Sequence, residues 1–234
     1  MREIVISSPG KNSLSTAVLE SLRRDLREAG GEPVLLTGAG DVFSAGLDLR
    51  EVAALVDVAA ARRLVGALES LVEVLYTYPG PTVALVNGHA IAGGCVLQLC
   101  CDYRVATADP TVRIGLNEVA LGLAFPPRTL AMIRARLSDP VAERAVLDAV
   151  LHDPASARAA GLVDEVAAGA RALAVARLEA LAHHPHAAYA SAKAAFRAQA
   201  LRISPADERR LEDEILPRWS SEETRALARK ALGR

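Results

Sequence analysis

The sequence predicts an α/β fold built on a parallel sheet, and three features carry the prediction. Val34-Leu35-Leu36 and Val83-Ala84-Leu85-Val86 are short, wholly apolar runs, each is preceded by an amphipathic helical stretch, and each leads into a glycine-bearing turn. Strands without polar alternation belong to sheets covered on both faces, and parallel neighbours need a crossover helix between them. With 234 residues, 51% of them hydrophobic, the chain can bury a substantial core, so a single domain over 1–234 is expected.

The elements follow in order. Ile4 to Ser7 reads as a strand, Pro9-Gly10-Lys11-Asn12 as a turn, and Ser15 as the cap of a helix whose apolar positions run from Val18 to Leu26. Gly30-Gly31 ends that helix before Val34, which completes a βαβ unit. A second long helix carries Leu64, Leu68, Leu71 and Leu75 on one face, and Pro79-Gly80-Pro81 breaks it ahead of the Val83 strand. From Gly93 a helix runs to about Cys101, and Tyr103 to Ala106 returns to the sheet. Residues 1–125 therefore read as the α/β core. Beyond Pro126-Pro127 the pattern over 126–234 is mainly helical, with breaks near Asp139-Pro140, Asp153-Pro154 and His184-Pro185. A last helix start lies at Ser220-Ser221-Glu222-Glu223.

Composition narrows the function. The formal net charge is −1, from 27 basic and 28 acidic residues mixed along the chain, so nothing in the balance calls for nucleic acid or an anionic membrane as partner. Cys95, Cys100 and Cys101 share one apolar stretch, which suits core packing in a reducing compartment and offers no disulfide framework. No metal pattern is complete around His89 or the His183-His184-Pro185-His186 cluster. The strand begins almost at the first residue, so a cytoplasmic protein is expected.

The chemistry is concentrated in three segments. Leu36-Thr37-Gly38-Ala39-Gly40 continues to Ser44-Ala45-Gly46-Leu47-Asp48. Val86-Asn87-Gly88 continues to Ala92-Gly93-Gly94-Cys95, and Gly115-Leu116-Asn117-Glu118 follows. Glycine turns let backbone N–H groups approach one oxygen closely, and paired donors aimed at developing negative charge form an oxyanion hole. Phe43, which stands where the third glycine should, argues against a dinucleotide fingerprint.

At these segments the chain resembles the crotonase superfamily of enoyl-CoA hydratases and isomerases, whose first signature reads roughly LTGAGxxFSAGxDL. Its Gly-Leu-Asn-Glu segment is similar to that of the Δ3,Δ2-enoyl-CoA isomerases. The resemblance implies a crotonase (ClpP/crotonase-like) fold of repeated ββα and βαβ units with a helical C-terminal region. In that family the C-terminal helices cover the site and build trimers, often paired into hexamers. It places the oxyanion donors at the N–H groups of Leu47 and Gly93, the acid/base at Glu118, and coenzyme A along Leu47, Asp48, Leu49, Arg50 and Gly93. The acyl chain would run toward Val52, Leu68, Leu71 and Phe125. Coenzyme A enters as part of an acyl-CoA thioester substrate, with no permanently bound cofactor and no metal.

One departure separates the reactions. Val96 stands where the family's hydratases carry a second glutamate, and an isopropyl group neither takes nor gives a proton. Glu118 as sole acid/base is expected to suffice for isomerisation. Two alternatives stay open: an enoyl-CoA hydratase or lyase that draws its second acid from elsewhere, and a catalytically weak, oligomeric CoA-thioester-binding protein.

Overall fold

The computed structural model describes residues 1–233. Five parallel strands, β1 (Arg2–Ile6), β2 (Val34–Gly38), β4 (Thr82–Val86), β6 (Tyr103–Thr107) and β8 (Glu165–Ala167), form one sheet in the order β1-β2-β4-β6-β8. Three shorter strands, β3 (Val42–Ser44), β5 (His89–Ile91) and β7 (Ile114–Gly115), form a second parallel sheet in the order β3-β5-β7. The expected βαβ units are present: Leu36 of β2 stands between Ile4 of β1 and Ala84 of β4 in register.

Local chemistry sets the helix limits. Ser15 accepts a hydrogen bond from Val18 N and starts the Thr16–Ala29 helix, which Gly30 ends at φ 56°. Asp57 caps the Val58–Tyr76 helix by accepting from Ala60 N. Leu64, Leu68, Leu71 and Leu75 are all buried, as their spacing predicts. Both faces of the large sheet are covered. Ile4, Leu36, Ala84 and Ala106 face the larger core, while Leu35, Val83, Leu85 and Val105 pack with Ala174 and Leu178 of the Ala170–Ala182 helix.

That last helix and β8 correct the expectation that the sheet-bearing part ends at residue 125. β8 pairs with β6 from Val105↔Glu165 to Thr107↔Ala167, inside the segment read as helical. Three residues without alternating hydrophobicity leave little sequence signal for a strand. The edge is held by Arg104, whose guanidinium donates to Asp164 at 2.7 and 2.8 Å.

Asp102 instead anchors the His186–Arg197 helix. Its carboxylate accepts from Lys193 Nζ (2.8 Å), Arg197 (2.7 Å), Tyr189 Oη (2.9 Å) and the N–H of Thr82 (2.8 Å). Arg136 and Arg197 donate to the carbonyls of Leu99, Cys100 and Cys101, the C-terminal end of the Gly93–Cys100 helix. Cations at a helix C-terminus complement its dipole. Three positive side chains are thereby accommodated by one carboxylate and the carbonyls around it.

Truncating one member of a buried ionic cluster leaves the others uncompensated. Asp102→Ala should therefore lower the unfolding free energy by about 3–5 kcal/mol in urea titration. A change below about 1 kcal/mol would show that the cluster is dispensable.

Candidate active site

Two turns converge on one cavity. The first leaves β3 through Ser44-Ala45-Gly46 to Leu47; the second leaves β5 through Ile91-Ala92 to Gly93. Gly46 has φ +89°, and a Cβ there would lie 2.9 Å from both the Cβ of Ala92 and the carbonyl oxygen of Ile91, so only glycine lets the turns meet. A Cβ on Gly93 would lie 3.5 Å from Leu47 N. The two peptide planes thus stand side by side.

Backbone groups on either side of them are engaged. Leu14 N donates to Gly46 O (2.8 Å), Asp48 N to Leu14 O (3.1 Å), Ala92 N to Gly115 O (2.9 Å) and Val96 N to Ala92 O (2.9 Å). Among the described residues the N–H groups of Leu47 and Gly93 have no such acceptor. Ala92, with φ 50° and ψ −123°, adopts a backbone conformation that costs a non-glycine residue of order 1–3 kcal/mol. This strain starts the Gly93–Cys100 helix with its first N–H beside Leu47. Sequence reasoning missed the role of Ala92, because alanine carries no signature of such a conformation.

The cavity has about 490 Å³ of empty space, including its mouth, and its wall is almost wholly apolar: Leu47, Leu49, Leu68, Val96, Leu121, Leu123 and Phe125 contribute. Glu118 is its one carboxylate among the described residues. It lies at the head of the single turn Val119–Leu121, where its carbonyl accepts from Leu121 N (3.0 Å) and Leu123 N (2.9 Å). The residue is 7% exposed, and Oε2 has no hydrogen-bond partner. Burial pushes the carboxyl up from 4.5 to about 8; its own N–H and that of Asn117 pull weakly the other way. Val96 lines the same wall, fully buried, and puts no second acid there.

The remaining expectations divide. Leu47, Leu49 and Gly93 line the cavity, whereas the Asp48 carboxylate caps the Leu49–Ala53 helix by accepting from Arg50 N (2.9 Å) and Arg50 is exposed. Leu68 and Phe125 line it, but Val52 and Leu71 lie in the core outside its wall. The Gly38-Ala39-Gly40 half of the first motif does not reach the cavity. Asn87 donates to the carbonyls of Gly38 and Gly40 and accepts from Gly38 N, tying the two motifs together behind the site. His89 Nδ1 accepts from Arg113 N at 2.9 Å and fixes the loop before β7. Glu51 is bonded to Thr16, and the cysteine thiols are buried, Cys95 pushed up to about 12 by burial. From the tail, Trp219 closes one side, its Nε1 donating to Ala124 O at 2.9 Å.

Comparison with known proteins decides the family. A sequence model described as enoyl-CoA hydratase/isomerase matches residues 1–229. The chain belongs to the enoyl-CoA hydratase/isomerase family. It is 36% identical over 169 residues to a putative enoyl-CoA hydratase of Thermus thermophilus, covering 70% of this chain and 66% of that protein. It is 38% identical over 168 residues to the mitochondrial enoyl-CoA delta isomerase 1 of Mus musculus, covering 69% and 57%. The alignments thus span between half and two thirds of these relatives. The crystal structure of human mitochondrial Δ3,Δ2-enoyl-CoA isomerase superposes with a TM-score of 0.87 at 27% identity, covering 99% of this chain and 93% of that one. The enoyl-CoA hydratase of Bacillus halodurans, at 22% identity and a TM-score of 0.82, shares the fold. The architecture is the crotonase fold.

The orphaned carboxyl has a thermodynamic signature. Below about pH 4.5 it is protonated folded or unfolded; between 4.5 and about 8 only the folded state keeps the proton, so stability falls as pH rises through this window. Glu118→Gln should therefore be more stable than the natural protein at pH 8, by on the order of 4 kcal/mol, with the difference vanishing near pH 4. A pH-independent difference in denaturant titrations would contradict a buried, raised carboxyl.

Proposed function

We propose that this protein is a Δ3,Δ2-enoyl-CoA isomerase with Glu118 as its single acid/base. The observation that carries the reading is one raised carboxyl in an apolar wall that also contains Leu47, Gly93 and, at the position of a second acid, Val96. The thioester oxygen of a 3-enoyl-CoA accepts from both N–H groups. Glu118 takes the proton from C2, and the electron pair of that C–H bond moves onto the thioester oxygen as an enolate, where the two donors and the helix N-terminus stabilise it. Glu118 then returns the proton to C4, the double bond moves from C3–C4 to C2–C3, and the carboxylate is regenerated. Nothing is consumed.

A carboxylate with a pKa near 8 is a far stronger base than an exposed one, and its conjugate acid is still able to donate. Coenzyme A is part of the substrate, held along Leu47, Asp48, Leu49 and Arg50. Trp219 and the helix Glu222–Ala231, which packs on Leu49–Ala53, support the role of the tail as cover, and assembly as a homotrimer or dimer of trimers in the cytoplasm completes the proposal.

The test is a product assay with 3-hexenoyl-CoA and, separately, 2-hexenoyl-CoA. Conversion of the 3-enoyl substrate to an isobaric 2-enoyl product, lost by at least about 10³-fold in Glu118→Gln, is the expected result. Its kcat/KM should rise with pH and level off above about 8, as Glu118 ionises. Gain of a water mass from 2-hexenoyl-CoA would transfer the assignment to a hydratase, and tight acyl-CoA binding without turnover would favour a binding protein. Gly93→Ala, which sets a methyl group beside Leu47 N, should lower kcat roughly 100-fold without unfolding the chain.

A further inference from the structure

A second side chain of the cavity wall carries a polar group that has no part in this mechanism. Three side chains in the wall carry polar atoms: Glu118, Trp219 and Thr129. Trp219 is satisfied by Ala124 O. Thr129 is 1% exposed, and its Oγ1, like Oε2 of Glu118, has no hydrogen-bond partner. A helical threonine ordinarily bonds its hydroxyl to a carbonyl three or four residues back; here that bond is not made. The residue is held firmly, at the third position of the Pro127–Arg136 helix, whose leading N–H groups are capped by the buried carboxylate of Glu69, with Arg128 N donating at 2.7 Å. A buried hydroxyl left without a partner costs about 1–3 kcal/mol, so a ligand that completes it recovers a substantial preference over one that does not.

Resting on the acyl-CoA reading of the site, we propose that Thr129 is a specificity residue that hydrogen-bonds an oxygen on the acyl chain, so that the preferred substrates carry a hydroxyl or oxo group beyond the reacting carbons. Valine at this position would fill the same volume and leave a wholly hydrocarbon pocket. The hydroxyl both donates and accepts, so either oxygen function satisfies it. It makes no contribution to proton transfer at C2 and C4, which Glu118 performs alone.

The experiment measures binding of saturated, unreactive thioesters by calorimetry: unsubstituted octanoyl-CoA against a series with a hydroxyl on each of carbons 5 to 8 in turn. At least one member of the series should bind about tenfold more tightly than octanoyl-CoA. Thr129→Val should erase that preference, and Thr129→Ser, which keeps the hydroxyl, should restore it. Equal affinity across the series, or a preference that survives Thr129→Val, would overturn the proposal. Turnover plays no part in this readout, so failure of the isomerase reading alone leaves it intact, whereas absence of all acyl-CoA binding would overturn both.

Discussion

The site depends on two peptide planes, Gly46–Leu47 and Ala92–Gly93, held side by side with their N–H groups uncommitted. Backbone groups on either side are engaged: Gly46 O and Asp48 N with Leu14, Ala92 N with Gly115, Ala92 O with Val96. In the proposed reaction, two donors fixed in this way need no reorganisation when negative charge develops between them. The close approach is permitted by the missing side chain at Gly46 and enforced by the strained conformation of Ala92.

The rest of the structure holds this pair in place. The short second sheet orders the three motif segments, since β3 leads to Leu47, β5 to Gly93 and β7 to Glu118. Asn87 clamps the first motif to the second from behind. The Gly93–Cys100 helix presents a donor at its N-terminus, and its C-terminus is gripped by Arg136 and Arg197, the latter in turn paired with Asp102. Helices distant in sequence thereby fix one end of an element whose other end lies beside Leu47 N in the cavity wall.

Much of this was legible in the residues. Apolar runs gave the central strands because those strands are covered on both faces, and Ser15, Gly30 and Ser221 marked helix limits because capping is local chemistry. The motif residues Leu47, Gly93 and Glu118 line one cavity. β8 and the three short strands of the second sheet were not legible: two or three residues cannot display a period, and their pairing is imposed by tertiary contacts. Val52 and Leu71 were misplaced in the acyl wall because a core and a lipid-like pocket ask for the same side chains. Thr129 and Trp219 reach the cavity from helices whose placement no local pattern specifies.

The most direct test of the account is a crystal structure of the Glu118→Gln protein, which retains the cavity but not the base, with 3-hexenoyl-CoA bound. The account predicts the thioester oxygen at hydrogen-bond distance from both Leu47 N and Gly93 N, with C2 and C4 of the acyl chain on the face nearest residue 118. A thioester bound elsewhere, or one whose oxygen meets neither N–H group, would contradict it.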